Sequence, residues 1–178
     1  MRSHGGGFTL IEVLVAVFVL AVGVLGALAA HTTAMRTRQA SALMSNGVQL
    51  ASSLAERMRA NRAQMRLSDA RNPYLALRFD GASDQAGPAP AACTRNACNS
   101  AELAQQDIAE LKYLLSTGFP GARLAVCRDA VGWDPARRAL GWDCTGGSFN
   151  PIVIKLGWRD GAPEVQPLVA IVLAGEGG

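Results

Sequence analysis

The chain has 178 residues, 49% of them hydrophobic and 17% charged, with a formal net charge of +3. That length allows one membrane segment plus one modest domain. Its two histidines are His4, near the start, and His31, at the end of an apolar run. The remainder therefore cannot assemble a Ser-His-Asp or Cys-His catalytic site, or a histidine zinc centre.

In chain order, the first element is the apolar run over residues 8–30, interrupted by a single carboxylate, Glu12. About 23 residues at 1.5 Å each give roughly 35 Å of helix, enough to cross a ~30 Å hydrocarbon core. A secretory signal would carry a shorter apolar region of about 7–15 residues and end at a small-residue cleavage site. A carboxylate in hydrocarbon costs roughly 2.5–3.5 kcal/mol at a helix centre, so Glu12 needs a partner charge. Arg2 lies on one side of the run and Arg36 and Arg38 on the other, so charge bias does not set the orientation.

The short head, with Arg2 and the triplet Gly5–Gly7, gives way abruptly to Phe8. The segment Gly7-Phe8-Thr9-Leu10-Ile11-Glu12 resembles the processing site of type IV prepilins and of the pseudopilins of type II secretion. The resemblance implies that a prepilin peptidase cuts between Gly7 and Phe8 and methylates the new amino terminus of Phe8. Residues 1–7 are then a prepilin leader, and residues 8–30 a transmembrane and filament-core helix. It also implies that the leader is cytoplasmic and the body exported. Glu12 becomes an assembly and register device that meets the terminal amine of a neighbouring subunit. A buried amine and a buried carboxylate are each expensive alone and tolerable as a pair.

Helical character continues beyond the apolar run. Between His31 and Met65 there is no proline and one glycine, Gly47. Leu43, Gly47, Leu50, Leu54, Met58, Asn61 and Met65 recur at steps of three and four, predicting one amphipathic face and a single helix from Phe8 to about Met65. Residues 31–66 form its amphipathic half. Six arginines (36, 38, 57, 59, 62 and 66) face one acid there, Glu56, a local charge of about +5 against about −2 from Leu67 onward. No aromatic residue interleaves with these arginines to stack on bases, so nucleic acid is not an expected partner. Glu56-Arg57-Met58-Arg59-Ala60-Asn61 resembles the ERMRAN-like stretch near the end of the long helix in PilV-type minor pilins. Unlike many major pilins, the chain has no proline between Phe8 and Ala30, although Gly23 and Gly26 could soften that stretch.

Residues 67–178 read as a small exported α+β head. Tyr74–Phe79 fits a short strand or a helix continuation, and residues 81–92 a loop rich in Gly, Ala and Pro. Ser100 is the expected N-cap of a helix to Ser116, with Leu103, Asp107 or Ile108, Leu111, Leu114 and Leu115 as its buried stripe. Arg123–Arg128, Ile152–Trp158 and Leu168–Leu173 read as strands, with turns over 132–147 and at Asp160-Gly161. Lys155 and Arg159 are expected to decorate the penultimate strand, and Trp158 to sit in the core or at the sheet edge.

Four cysteines, Cys93, Cys98, Cys127 and Cys144, all follow the apolar run, and an even set in an exported domain favours disulfides. Of three connectivities, local loop closure favours Cys93–Cys98 with Cys127–Cys144. A four-cysteine zinc site is the alternative, although its usual closely spaced pairs are absent. Glu102, Asp107, Glu110, Asp129, Asp134, Asp143 and Asp160 have no context marking them as a catalytic pair. Gly146-Gly147 lacks the Lys-Ser/Thr that a phosphate loop requires. The expectation is a non-enzymatic chain without cofactor. Its fold is α+β, a long N-terminal helix packed on a small antiparallel sheet, type IV pilin-like. The resemblance implies a minor pilin that primes assembly, held in the inner membrane and then at the pilus tip. Its partners would be prepilin peptidase, other minor pilins, the major pilin and the inner-membrane assembly platform. A minor pseudopilin of type II secretion, or a pilus-borne adhesion or DNA-uptake module, are the alternatives.

Overall fold

A computed structural model describes residues 9–88, 93, 97–130, 132–159 and 165–173. The Asp160-Gly161 turn expected from the sequence lies outside the described residues. The chain divides into two compact units, Met1–Ala42 and Leu43–Gly178. Helix α1 spans Leu10–Ala60, its first turn closed by the Glu12 and Val13 amides on the Thr9 carbonyl. Up to Ala42 every described residue of α1 is exposed.

In the second unit, Gly47, Ala51, Leu54, Ala55 and Met58 are the buried residues of α1, the spacing of one helix face. The helix stops at Ala60, earlier than the sequence suggests. Asn61 leaves helical geometry (φ −88°, ψ 60°), and a one-turn helix α2, Arg62–Met65, follows. The cause is side-chain capture: Asn61 Nδ2 donates to the Ser100 carbonyl at 2.8 Å and to Tyr74 Oη at 3.3 Å. An asparagine with such partners competes with the helix ladder.

Asn72 Oδ1 accepts from the Tyr74 amide, which turns the chain into β1, Arg78–Asp80. Helix α3, Ser100–Gly118, is capped by Asn99, one residue before the expected Ser100. Asn99 Oδ1 accepts from the Ala101 and Glu102 amides, and Glu102 returns a hydrogen bond to the Asn99 amide, a complete capping box. The buried stripe of α3 is Ala104, Asp107, Leu111 and Leu115. Leu103 and Leu114, expected in that stripe, are 41% and 40% exposed. Partners that draw Asp107 inward fix this rotation of the helix.

Strands β2 (Arg123–Arg128), β3 (Trp133–Asp134), β4 (Ala139–Leu140), β5 (Ile152–Gly157) and β6 (Val169–Leu173) complete the fold. The main sheet is antiparallel in the order β1-β2-β5-β6, and β3 and β4 form a separate hairpin. Long helix and small sheet together are the α+β arrangement anticipated from the sequence. Leu124, Val126, Ile152, Ile154 and Leu156 share one core with Ala51, Leu54 and Met58 of α1 and Leu111 and Leu115 of α3. Trp158 belongs to that core, its ring 5.2 Å from that of Phe119.

Alternation places Lys155 on the opposite sheet face, in register with Ala125 of β2. It is not a decoration of the strand, for its side chain is 1% exposed. Its Nζ lies 2.5 Å from Asp129 Oδ2 and donates to the Asp143 carbonyl, so the 129–145 segment closes over that face. Cys127 and Cys144 are joined by a disulfide across the same segment, and Cys93 and Cys98 form a second.

Gly47 marks the tightest approach of α1 to the core. A Cβ there would stand 2.6 Å from Trp158 Cζ3. Gly47→Val forces the buried indole aside, and overpacking of this kind costs about 1–3 kcal/mol. A drop in thermal midpoint, measured by circular dichroism, is the expected outcome. An unchanged midpoint would show that the Trp158 ring is free to yield.

Candidate functional site

Two neighbourhoods hold the residues singled out by the sequence. The first is the start of α1. Gly7 and Phe8, the proposed cleavage and methylation positions, lie outside the described residues. Glu12 sits in the first turn, where the free amides of a helix N-terminus favour a carboxylate. Among the described residues, its side chain has no ion-pair or hydrogen-bond partner.

Around it the helix is apolar on every side and covered on none. Leu10 is 79% exposed, Ile11 70%, Phe18 69% and Leu20 68%. An 18-residue window of α1 reaches a mean hydropathy of 2.9, so this one helix is long and apolar enough to cross a membrane. A helix apolar all round requires hydrocarbon or other helices as its surroundings. Past the apolar run, Thr32 and Thr33 donate to the Ala29 carbonyl and Thr37 to that of Thr33. Those hydroxyls are satisfied within the helix itself.

The second neighbourhood is the 56–61 segment. Its residues divide by helix face. Glu56 and Arg59 are exposed and pair with each other at 2.5 Å. Met58 is fully buried in the core. Arg57 reaches α3, bonding Asp107 Oδ1 at 3.0 Å and both oxygens of Glu110 at 2.7 and 3.2 Å. Tyr74 Oη donates to Asp107 Oδ2 at 2.7 Å, and Asn61 Nδ2 points at Tyr74 Oη. The hydrogen bond from Arg57 holds the Glu110 carboxyl below its ordinary range. That bond to Glu110 is also the main reason the Arg57 pKa rises. Burial, then the bond to Asp107, push the Tyr74 hydroxyl upward. These contacts make the network a polar clasp between α1 and α3.

The sequence alone did not connect Asp107, Glu110 and Tyr74 to Arg57. The available signal was Asp107 on an otherwise apolar stripe of α3, since a buried carboxylate demands a donor. Two of the six arginines of the 31–66 segment, Arg57 and Arg59, are thus committed to intramolecular ion pairs. Among the described residues, no group of three or more His, Cys, Asp or Glu side chains could hold a metal ion.

The family model described as the prokaryotic N-terminal methylation motif matches residues 2–28. Comparison with curated proteins and with solved structures finds no match. The matched residues include Gly7, Phe8 and Glu12, and they lead into α1, which among the described residues is the one helix long and apolar enough to span a membrane. Joined to a small antiparallel sheet, these features are consistent with a type IV prepilin- or pseudopilin-like protein.

Proposed function

We propose that the protein is a minor pilin of a type IV pilus, a low-copy structural subunit that takes part in priming assembly and sits at the pilus tip. The observation that carries this reading is the methylation motif at residues 2–28 opening an uncovered apolar helix with one carboxylate. The 56–61 segment, with its resemblance to PilV-type minor pilins, favours the pilus over type II secretion. Prepilin peptidase removes residues 1–7 and methylates Phe8. The mature chain waits in the inner membrane with its head in the periplasm. It then joins other minor pilins on the inner-membrane platform, ahead of the major pilin. Its work is structural rather than catalytic.

Intact mass of envelope-extracted protein tests the first step. The expected chain lacks Met1–Gly7 and carries one added methyl on Phe8, and a charged residue at Gly7 leaves precursor in the membrane. Full-length protein in a strain with an active prepilin peptidase would sink the proposal. Co-purification after membrane extraction tests the second step: pilus subunits support the minor-pilin role, and secretion pseudopilins replace it.

A further inference from the structure

Lys155 and Asp129 are more deeply buried than an ordinary ion pair. Their side chains are 1% and 0% exposed, and Nζ stands 2.5 Å from Oδ2. The surroundings are organised around both groups. Asp129 Oδ1 accepts from the Thr145 amide at 3.3 Å and from Thr145 Oγ1 at 3.1 Å. The Asp143 carbonyl accepts a second Nζ proton at 2.5 Å. The backbone on both sides is fixed, since the Asp129 amide donates to Pro151 and the Gly146 amide to Arg128. The Cys127–Cys144 disulfide closes the same segment.

We infer that this is an autocatalytic cross-linking site, at which Lys155 Nζ and Asp129 Cγ condense to an intramolecular isopeptide bond with loss of one water. Across the 2.5 Å contact, proton transfer from the ammonium to Oδ2 gives a neutral amine and a neutral acid, both buried. The amine lone pair attacks Cγ. The carbonyl electrons move to Oδ1, where the two Thr145 donors face the developing charge as an oxyanion hole does. A second nitrogen proton passes to the Oδ2 hydroxyl, which leaves as water. The remaining N–H is the amide hydrogen, beside the Asp143 carbonyl. No oxidant, cofactor or activated intermediate is required. Fixed approach of the two groups replaces activation, since well-oriented intramolecular reactions reach effective molarities of about 10⁵–10⁸ M.

The test is mass spectrometry of the wild-type, full-length chain, non-reduced and extracted from envelopes. The expected mass is lower by one water than disulfides and N-terminal processing account for. Digestion should yield a branched peptide joining the Asp129 and Lys155 segments, resistant to reductant. In Lys155→Arg the missing water returns. A wild-type mass explained by disulfides and processing alone overturns the inference. So does a dehydrated linear peptide around Asp129, the mark of a succinimide. Because the wild type is decisive, poor folding of the variant does not obscure the result. Either outcome leaves the reading of the N-terminal helix untouched.

Discussion

Glu12→Gln should leave membrane insertion and cleavage intact while cutting incorporation into the filament by about a hundredfold or more. Glutamine preserves the shape of the side chain and removes its charge, so the change isolates electrostatics from packing. In the proposed assembly the carboxylate faces the methylated amine of a neighbouring subunit, in surroundings supplied by apolar helices such as α1. Removing one side of a buried pair costs about 3–5 kcal/mol, and each 1.4 kcal/mol is about tenfold in population. A low-copy subunit that primes the filament then limits the whole structure. Surface pili become scarce, and the mature variant accumulates in the inner membrane. Counting surface pili, together with immunoblots of sheared and membrane fractions, reads both effects. Normal piliation with Glu12→Gln would remove the charge from the assembly mechanism.

Lys155→Met should lower the stability of the Leu43–Gly178 unit by about 3–5 kcal/mol, because it removes the ammonium that faces the fully buried Asp129 carboxylate. Folding must bring the two groups together before any bond between them can close, so the loss appears in folding itself. A shift of that size corresponds to a fall of about 10 °C or more in thermal midpoint. The double variant Lys155→Met with Asp129→Leu should recover the part of the loss that comes from the buried charge, since apolar replacement of both partners removes that charge. A midpoint unchanged by Lys155→Met alone would show that Asp129 is satisfied without it.

The sequence reading of the N-terminal site needs no long-range information, because it rests on six consecutive residues, Gly7 to Glu12. In the proposed assembly the partner of Glu12 belongs to another molecule, which no sequence pattern places. Elements set by short-range rules were legible. The three- and four-residue spacing from Leu43 to Met58 located the buried face of α1. Alternating apolar residues between turn signals located β2, β5 and β6. Features created by long-range partners were not legible. Asn61 ends α1 without proline or glycine, because Tyr74 and Ser100 hold its side chain. Asp107 displaces Leu103 and Leu114 from the core because Arg57 and Tyr74 draw it inward. Lys155 occupies what alternation marks as a solvent face, and only the return of the 129–145 segment buries it.

The second half of α1 also decides what can be separated from what. Ala51, Leu54, Ala55 and Met58 form one wall of the core that the sheet and α3 share. Trimming the chain after Ala60 would remove that wall and expose the apolar faces of β2 and β5. The smallest autonomous folding piece therefore begins near Leu43, and proteases should find no tolerated cut between there and Ala60. The sheet has no swivel against this segment of helix. Within this unit, residues 43–60 and the sheet therefore move as one body.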